Sequence, residues 1–219
     1  MGADLSKNLA LPHHPHHSLQ LATKIQPLPA ASPSPSAADE CQSLHPRGEQ
    51  VYTVWMKSLV FSGNGCTVYG ADGRVAFRVD NYGCRGGREV FFMDRDGKTL
   101  IRIQRKGFRV FKRWEARRYF DDGEEARPWF TLHKARKGAA AVTMHGGGGR
   151  TYAVEGCSRK SDYKIKGAGG AGVAAIARKQ TASGIVLGED VLTLTVGSEV
   201  DHLLVLGMVV VCGLMNRCM

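Results

Sequence analysis

The stretch LLVLGMVVVCGLM, residues 203–215, holds thirteen consecutive positions without a charge or a strongly polar side chain. Such a run has to be buried, either in lipid or in protein. As a helix it spans roughly 20 Å at about 1.5 Å per residue, whereas a bilayer core of about 30 Å takes roughly 20 residues. Asp201 and His202 before it and Asn216 and Arg217 after it fix that length. The run is apolar all round rather than striped, which predicts an element enclosed on every side. Consecutive valines at 209–211 and Gly207 lower helix propensity and keep a buried strand pair open. A core helix is favoured over a membrane span.

The chain before this run must supply the enclosure. Residues 1–48 hold seven of the eight prolines and the tract PHHPHHS, with almost no periodic apolar pattern. Too few side chains could be buried there to offset the entropy of ordering, so this segment reads as a disordered tail. The His tract reads as a polar spacer rather than a metal site. Residues 49–219 form one domain, large enough for a sizeable core.

Within that domain the texture is one of short strands and tight turns. VYTVWMK (51–57) is rich in strand formers, and CTVYGADGRVAFRVDNY (66–82) carries Ala71–Asp72–Gly73 as a turn between two arms. DGRVAFRV at 72–79 is echoed by DGKTLIRI at 96–103, a pattern of successive hairpins in one antiparallel meander. Further strands are expected at 108–119, 128–134, 150–156, 162–167, 172–179 and 190–196. ARKGAAAVTMHGGGGR (135–150) and GAGGAG (167–172) are rich in Ala and Gly, and no strand is assigned to either. The arms together make roughly ten to twelve strands. A helix is about 10–12 Å wide and a barrel of about eight strands is filled by its own side chains, so enclosure needs a wider ring. The expected class is all-β with one helix: a closed antiparallel barrel around its own carboxyl-terminal helix.

The residues also resemble a known family. Trp55-x-Lys57-Ser58, Gly63-Asn64-Gly65, Phe77-Arg78-Val79-Asp80-Asn81-Tyr82, Met93-Asp94 and Arg113-Trp114 follow the pattern of the plant LURP-one-related family. The likeness continues through YAVEG and GEDVLTLTV to the apolar tail. It implies a tubby-like barrel of about twelve strands around a central hydrophobic helix, a fold shared with phospholipid scramblases and phosphoinositide-binding tubby proteins. It also implies a link to plant defence and supplies no catalytic residues. The chain departs from the family in its Ala- and Gly-rich stretches, and in Cys212 and Gly213, where an acidic or polar residue often falls.

Charge points to the partner class. The net +10 sits entirely on residues 49–219, because the tail is neutral. That excess favours anionic partners. The run RIQRKGFRVFKRWEARR (102–118) concentrates it, with Arg102, Arg105, Lys106, Arg109, Lys112 and Arg113 as the candidate anion-binding set. On a strand, alternation sends Arg109 and Arg113 to one face and Phe108, Val110 and Trp114 to the other. The competing reading is a solvated outer barrel face. Gly2 in MGADLS fits an N-myristoylation pattern, and a basic surface would supply the second signal that one acyl chain requires.

Other chemistry is not indicated. GAGGAG satisfies G-x-G-x-x-G without the strand, helix and βαβ context of a dinucleotide site. Asp94-x-Asp96-Gly97 is too short for a calcium loop, and His133, His145 and His202 lack partners at informative spacing. No catalytic residue, metal site or cofactor is expected. Six scattered cysteines without a C-x-x-C pair, and no opening signal peptide, suggest a reduced intracellular, cytoplasmic setting, with peripheral plasma-membrane or nuclear placement as variants. The expected function is non-enzymatic binding of a phospholipid or phosphoinositide surface by a monomer, with a role in defence signalling. The alternative is a protein-binding scaffold or membrane-tethered transcription regulator without lipid affinity. Nucleic acid is disfavoured for want of a reading motif.

Overall fold

Residues 48–57, 65–80, 89–107, 113–120, 126–146, 148–157 and 161–216 are described by the structure, a computed structural model. They form β1 (Gln50–Trp55), β2 (Cys66–Tyr69), β3 (Val75–Asp80), β4 (Glu89–Asp94), β5 (Thr99–Lys106) and β6 (Arg113–Arg118). There follow β7 (Arg127–Lys134), β8 (Ala140–Met144), β9 (Thr151–Glu155), β10 (Tyr163–Lys166), β11 (Gly172–Arg178), β12 (Val191–Val196) and one helix, α1 (His202–Asn216). Each strand pairs antiparallel with the next, and β1 pairs with β12, which closes the ring. Closure removes both sheet edges and gives every strand two partners.

The turns follow from local chemistry. Gly73 and Gly97, the two glycines of the echoed DG pairs, adopt φ of 72° and 89° in the β2–β3 and β4–β5 turns. Such left-handed backbone is open to glycine at little cost. Asp94 Oδ1 accepts from the Asp96 and Lys98 amides at 3.0 and 2.9 Å, so the DRD sequence is a turn lock. GAGGAG is the turn between β10 and β11, and Gly169 and Gly170 there have positive φ.

Strand alternation fills the barrel from one side. Val54, Val68, Phe92, Ile103, Leu132 and Leu194 are buried, and they form one cluster with the helix. Residues Leu204 to Gly213 are all buried in succession, close to three turns covered on every face. This is the enclosure that the all-round apolar pattern predicts. The valines do not make a strand pair, because the barrel leaves no edge for them to join. Among the described residues no helix is long and apolar enough to cross a membrane.

Gly207 has a packing reason. A Cβ there would lie 3.2 Å from the Phe130 ring and 3.4 Å from Ile101 Cδ1, so the helix backbone sits directly against β7 and β5. The propensity cost of about 1 kcal/mol is traded for this close approach. Asp201 starts the helix, its Oδ1 accepting from the Leu203 and Leu204 amides at 2.9 and 3.3 Å. Its Oδ2 accepts from Arg118 Nη1 at 2.8 Å, tying the helix start to the end of β6. His202 flanks the cap, with Nδ1 at 3.1 Å from both Tyr52 Oη and Gln50 Oε1. Asp201→Ala should therefore lower unfolding free energy by about 1–2 kcal/mol, measured by urea denaturation.

One expectation is corrected. Part of the Ala- and Gly-rich segment 135–150, which carries no assigned strand, is β8, with Ala140 and Val142 buried and Thr143 exposed. Alanine has weak strand propensity, yet β7 and β9 flank this segment and leave it only a strand's place.

Candidate anionic-surface site

Odd-numbered strands all run toward one end of the barrel, here called the upper end, where the β5–β6, β7–β8 and β11–β12 connections lie. The start of α1 sits at the lower end beside Arg118, and Asn216 near its finish donates to the Cys157 carbonyl at the upper end.

The register of β5, β6 and β7 sorts the basic run. Arg105 lies opposite Trp114, which is buried, so that pair faces the barrel interior near its rim. The next pair, Lys106 opposite Arg113, faces outward, and His133 stands opposite Arg113 on β7. Arg113 and His133 are exposed and Lys106 is half-buried. Directly opposed like charges on adjacent strands are destabilising unless something anionic lies over them. Among the described residues neither Lys106 nor Arg113 has a carboxylate partner. Exposed Lys134 and Arg136 extend the positive potential into the β7–β8 turn.

Farther down the wall the charges are balanced. Arg102 pairs with Glu89, Arg117 reaches Glu115 at 4.0 Å and donates to the Ala126 carbonyl at 2.9 Å. Arg118 pairs with Asp201 and lies 4.8 Å from the Trp129 ring. The candidate set therefore divides. Lys106 and Arg113 come together outward, Arg105 turns to the other face, Arg102 is neutralised, and Arg109, Lys112 and Gly2 lie outside the described residues. Arg113 and Trp114 do fall on opposite faces, as alternation requires. His133, Lys134 and Arg136 join only through strand pairing, which no linear spacing reveals.

A second feature marks the same end. The β11–β12 connection projects as a small hairpin whose Ile185, Val186 and Leu187 are 64%, 43% and 50% exposed. It is ordered by its own hydrogen bonds: Thr181 N to Ile185 O at 2.9 Å, Leu187 N to Lys179 O at 3.0 Å, and Ile185 N to Thr181 Oγ1 at 3.1 Å. At its foot Asp190 accepts from Trp55 Nε1 at 3.1 Å and pairs with Lys57 at 2.9 Å. The Lys57 hydrogen bond holds the Asp190 carboxyl below the usual carboxylate range. The sequence reading assigns no element to residues 180–189, and only the fold shows that Ile185, Val186 and Leu187 are exposed. The hairpin stands six strands away from the Lys106–Arg113 pair in the ring of twelve, on the far side of the same opening.

No group of three or more His, Cys, Asp or Glu side chains gathers as a metal site among the described residues.

Comparison with known proteins follows the same outline. Residues 50–213 match the family model described as LURP-one-related. Protein LURP-one-related 11 of Arabidopsis thaliana is 34% identical over 193 residues, covering 82% of this chain and 84% of that protein. Protein LURP-one-related 4 of the same plant is 35% identical over 170 residues, covering 76% and 79%. The X-ray structure of an Arabidopsis thaliana protein superposes with a TM-score of 0.54 at 18% identity, over 77% of this chain and 92% of that one, a likeness of fold.

Proposed function

The chain belongs to the LURP-one-related family, and from that premise we propose that its barrel is a non-enzymatic module that docks its upper end on an anionic phospholipid surface. The observation that carries this reading is the Lys106–Arg113 pair, two cations facing each other across a ladder with no carboxylate partner for either among the described residues. Anionic headgroups relieve that repulsion and release bound counterions. The apolar hairpin on the opposite side of the opening selects a planar partner over a small ligand. One flat surface meets both features at once, whereas one small molecule does not. Ile185 and Leu187 then enter the headgroup boundary while the cations stay at its surface. A myristoyl chain on Gly2 would act as a further anchor of the same kind. Plant defence signalling is the setting proposed for this contact.

The test is co-sedimentation of the full chain with phosphatidylcholine vesicles with and without phosphatidylserine. Binding should require phosphatidylserine and weaken as salt is raised. Ile185→Ser with Leu187→Ser should lower affinity about tenfold, the equivalent of ~1.4 kcal/mol, without changing the salt dependence. Equal binding to both vesicles, or none to either, overturns the proposal and favours the second reading, in which the exposed hairpin seats in a partner protein.

A further inference from the structure

The Sγ atoms of Cys157 and Cys212 lie 3.3 Å apart, although 55 positions separate them in the chain. Cys157 stands in the turn after β9, and Cys212 is near the end of α1. Both are buried, at 2% and 0% exposure. The juxtaposition is reinforced at a second point, because Asn216 Nδ2 donates to the Cys157 carbonyl. Cys66, the other buried thiol of the described residues, sits at the start of β2. The two sulfurs are also unequal. The hydrogen bond with Cys212 draws the Cys157 thiol below its usual range against the opposing effect of burial, and Lys134 adds positive charge. The same bond and complete burial push Cys212 well up. Cys157 is thus the more readily ionised sulfur of the touching pair and Cys212 the less, an asymmetry that disulfide formation uses.

We propose that Cys157 and Cys212 are an oxidative modification site that a small peroxide closes to an intramolecular disulfide. The Cys157 thiolate attacks one peroxide oxygen. The O–O bond breaks, the sulfur becomes a sulfenic acid, and the other oxygen leaves as hydroxide. The Cys212 sulfur then attacks the sulfenic sulfur. An S–S bond forms as the S–O bond breaks, and the departing oxygen takes the Cys212 proton and leaves as water. Two electrons pass from the sulfurs to the peroxide, and two waters result once the hydroxide is protonated. Hydrogen peroxide is close to water in size, and the sulfurs need approach by only about 1 Å. A reduced cytoplasm keeps the thiols open at rest and makes such a bond transient. Its effect is mechanical: the helix that fills the barrel becomes covalently tied to the wall at the upper end.

The measurement uses the full chain, reduced and then treated with equimolar hydrogen peroxide, followed by alkylation, intact mass and non-reducing peptide mapping. The expected result is a species about 2 Da lighter with a peptide joining Cys157 to Cys212, reversed by dithiothreitol. Its Tm should rise by roughly 5–10 °C because the closed loop constrains the unfolded chain. Cys157→Ser should abolish both the mass loss and the Tm rise. Full alkylation of both thiols after peroxide overturns the proposal, as does a crosslink that uses Cys66 instead, or sulfinic acid on either sulfur without a crosslink. The unsubstituted chain carries the decisive result, so a poorly folding Cys157→Ser variant does not obscure it.

Discussion

Met208→Lys is expected to leave the domain without a cooperative unfolding transition. Met208 is fully buried in the middle of α1, and the residues before and after it are buried as well. An ammonium placed there has no partner, and breaking a buried environment with one uncompensated charge costs several kcal/mol. A domain's whole stability is about 5–15 kcal/mol. Met208→Leu keeps volume and polarity and should cost less than about 1.5 kcal/mol. Circular dichroism through a thermal scan separates the cases: a sigmoid for Leu and none for Lys. If α1 were instead a lipid anchor outside the domain, Lys at 208 would leave the barrel's melting curve in place.

Substituting Lys106→Gln and Arg113→Gln together should weaken binding to phosphatidylserine vesicles about 30-fold. Each Lys or Arg near an anionic surface contributes about 1 kcal/mol, so the pair contributes about 2 kcal/mol. The fold should be unharmed or slightly stabilised, because the substitutions remove two like charges placed opposite each other. That combination of lost binding and retained Tm is what a merely structural role would not produce. The balanced pair is the control. Arg102→Gln with Glu89→Gln removes one charge of each sign and should leave vesicle binding unchanged. A fall in binding equal to that of the first pair would show that charge on this wall acts without regard to register.

The architecture was readable because its decisive signals are local and strong. The length of 203–215 and its lack of a polar stripe identify a buried segment and favour a helix over a strand pair, and Asp–Gly pairs identify turns from their own φ preferences. β8 escaped because Ala140 and Ala141 carry little strand signal, and its place is dictated by neighbours on either side. The basic run was visible as composition but not as a surface. Whether Arg102 is neutralised, or Lys106 meets Arg113, depends on cross-strand register through a connection whose geometry spacing does not encode. The uncovered Ile185–Leu187 hairpin and the Cys157–Cys212 contact are further removed still. Each depends on where separate parts of the ring come to rest.

The central claim is that the apolar helix fills the barrel and that any membrane contact is made from outside by the upper end. Hydrogen–deuterium exchange with and without phosphatidylserine vesicles tests it most directly. The account predicts that Leu204–Cys212 amides exchange slowest in both conditions, while vesicles slow exchange only around Lys106, Arg113 and the 181–187 hairpin. Rapid exchange of α1 in solution, with protection gained only on adding vesicles, would contradict it.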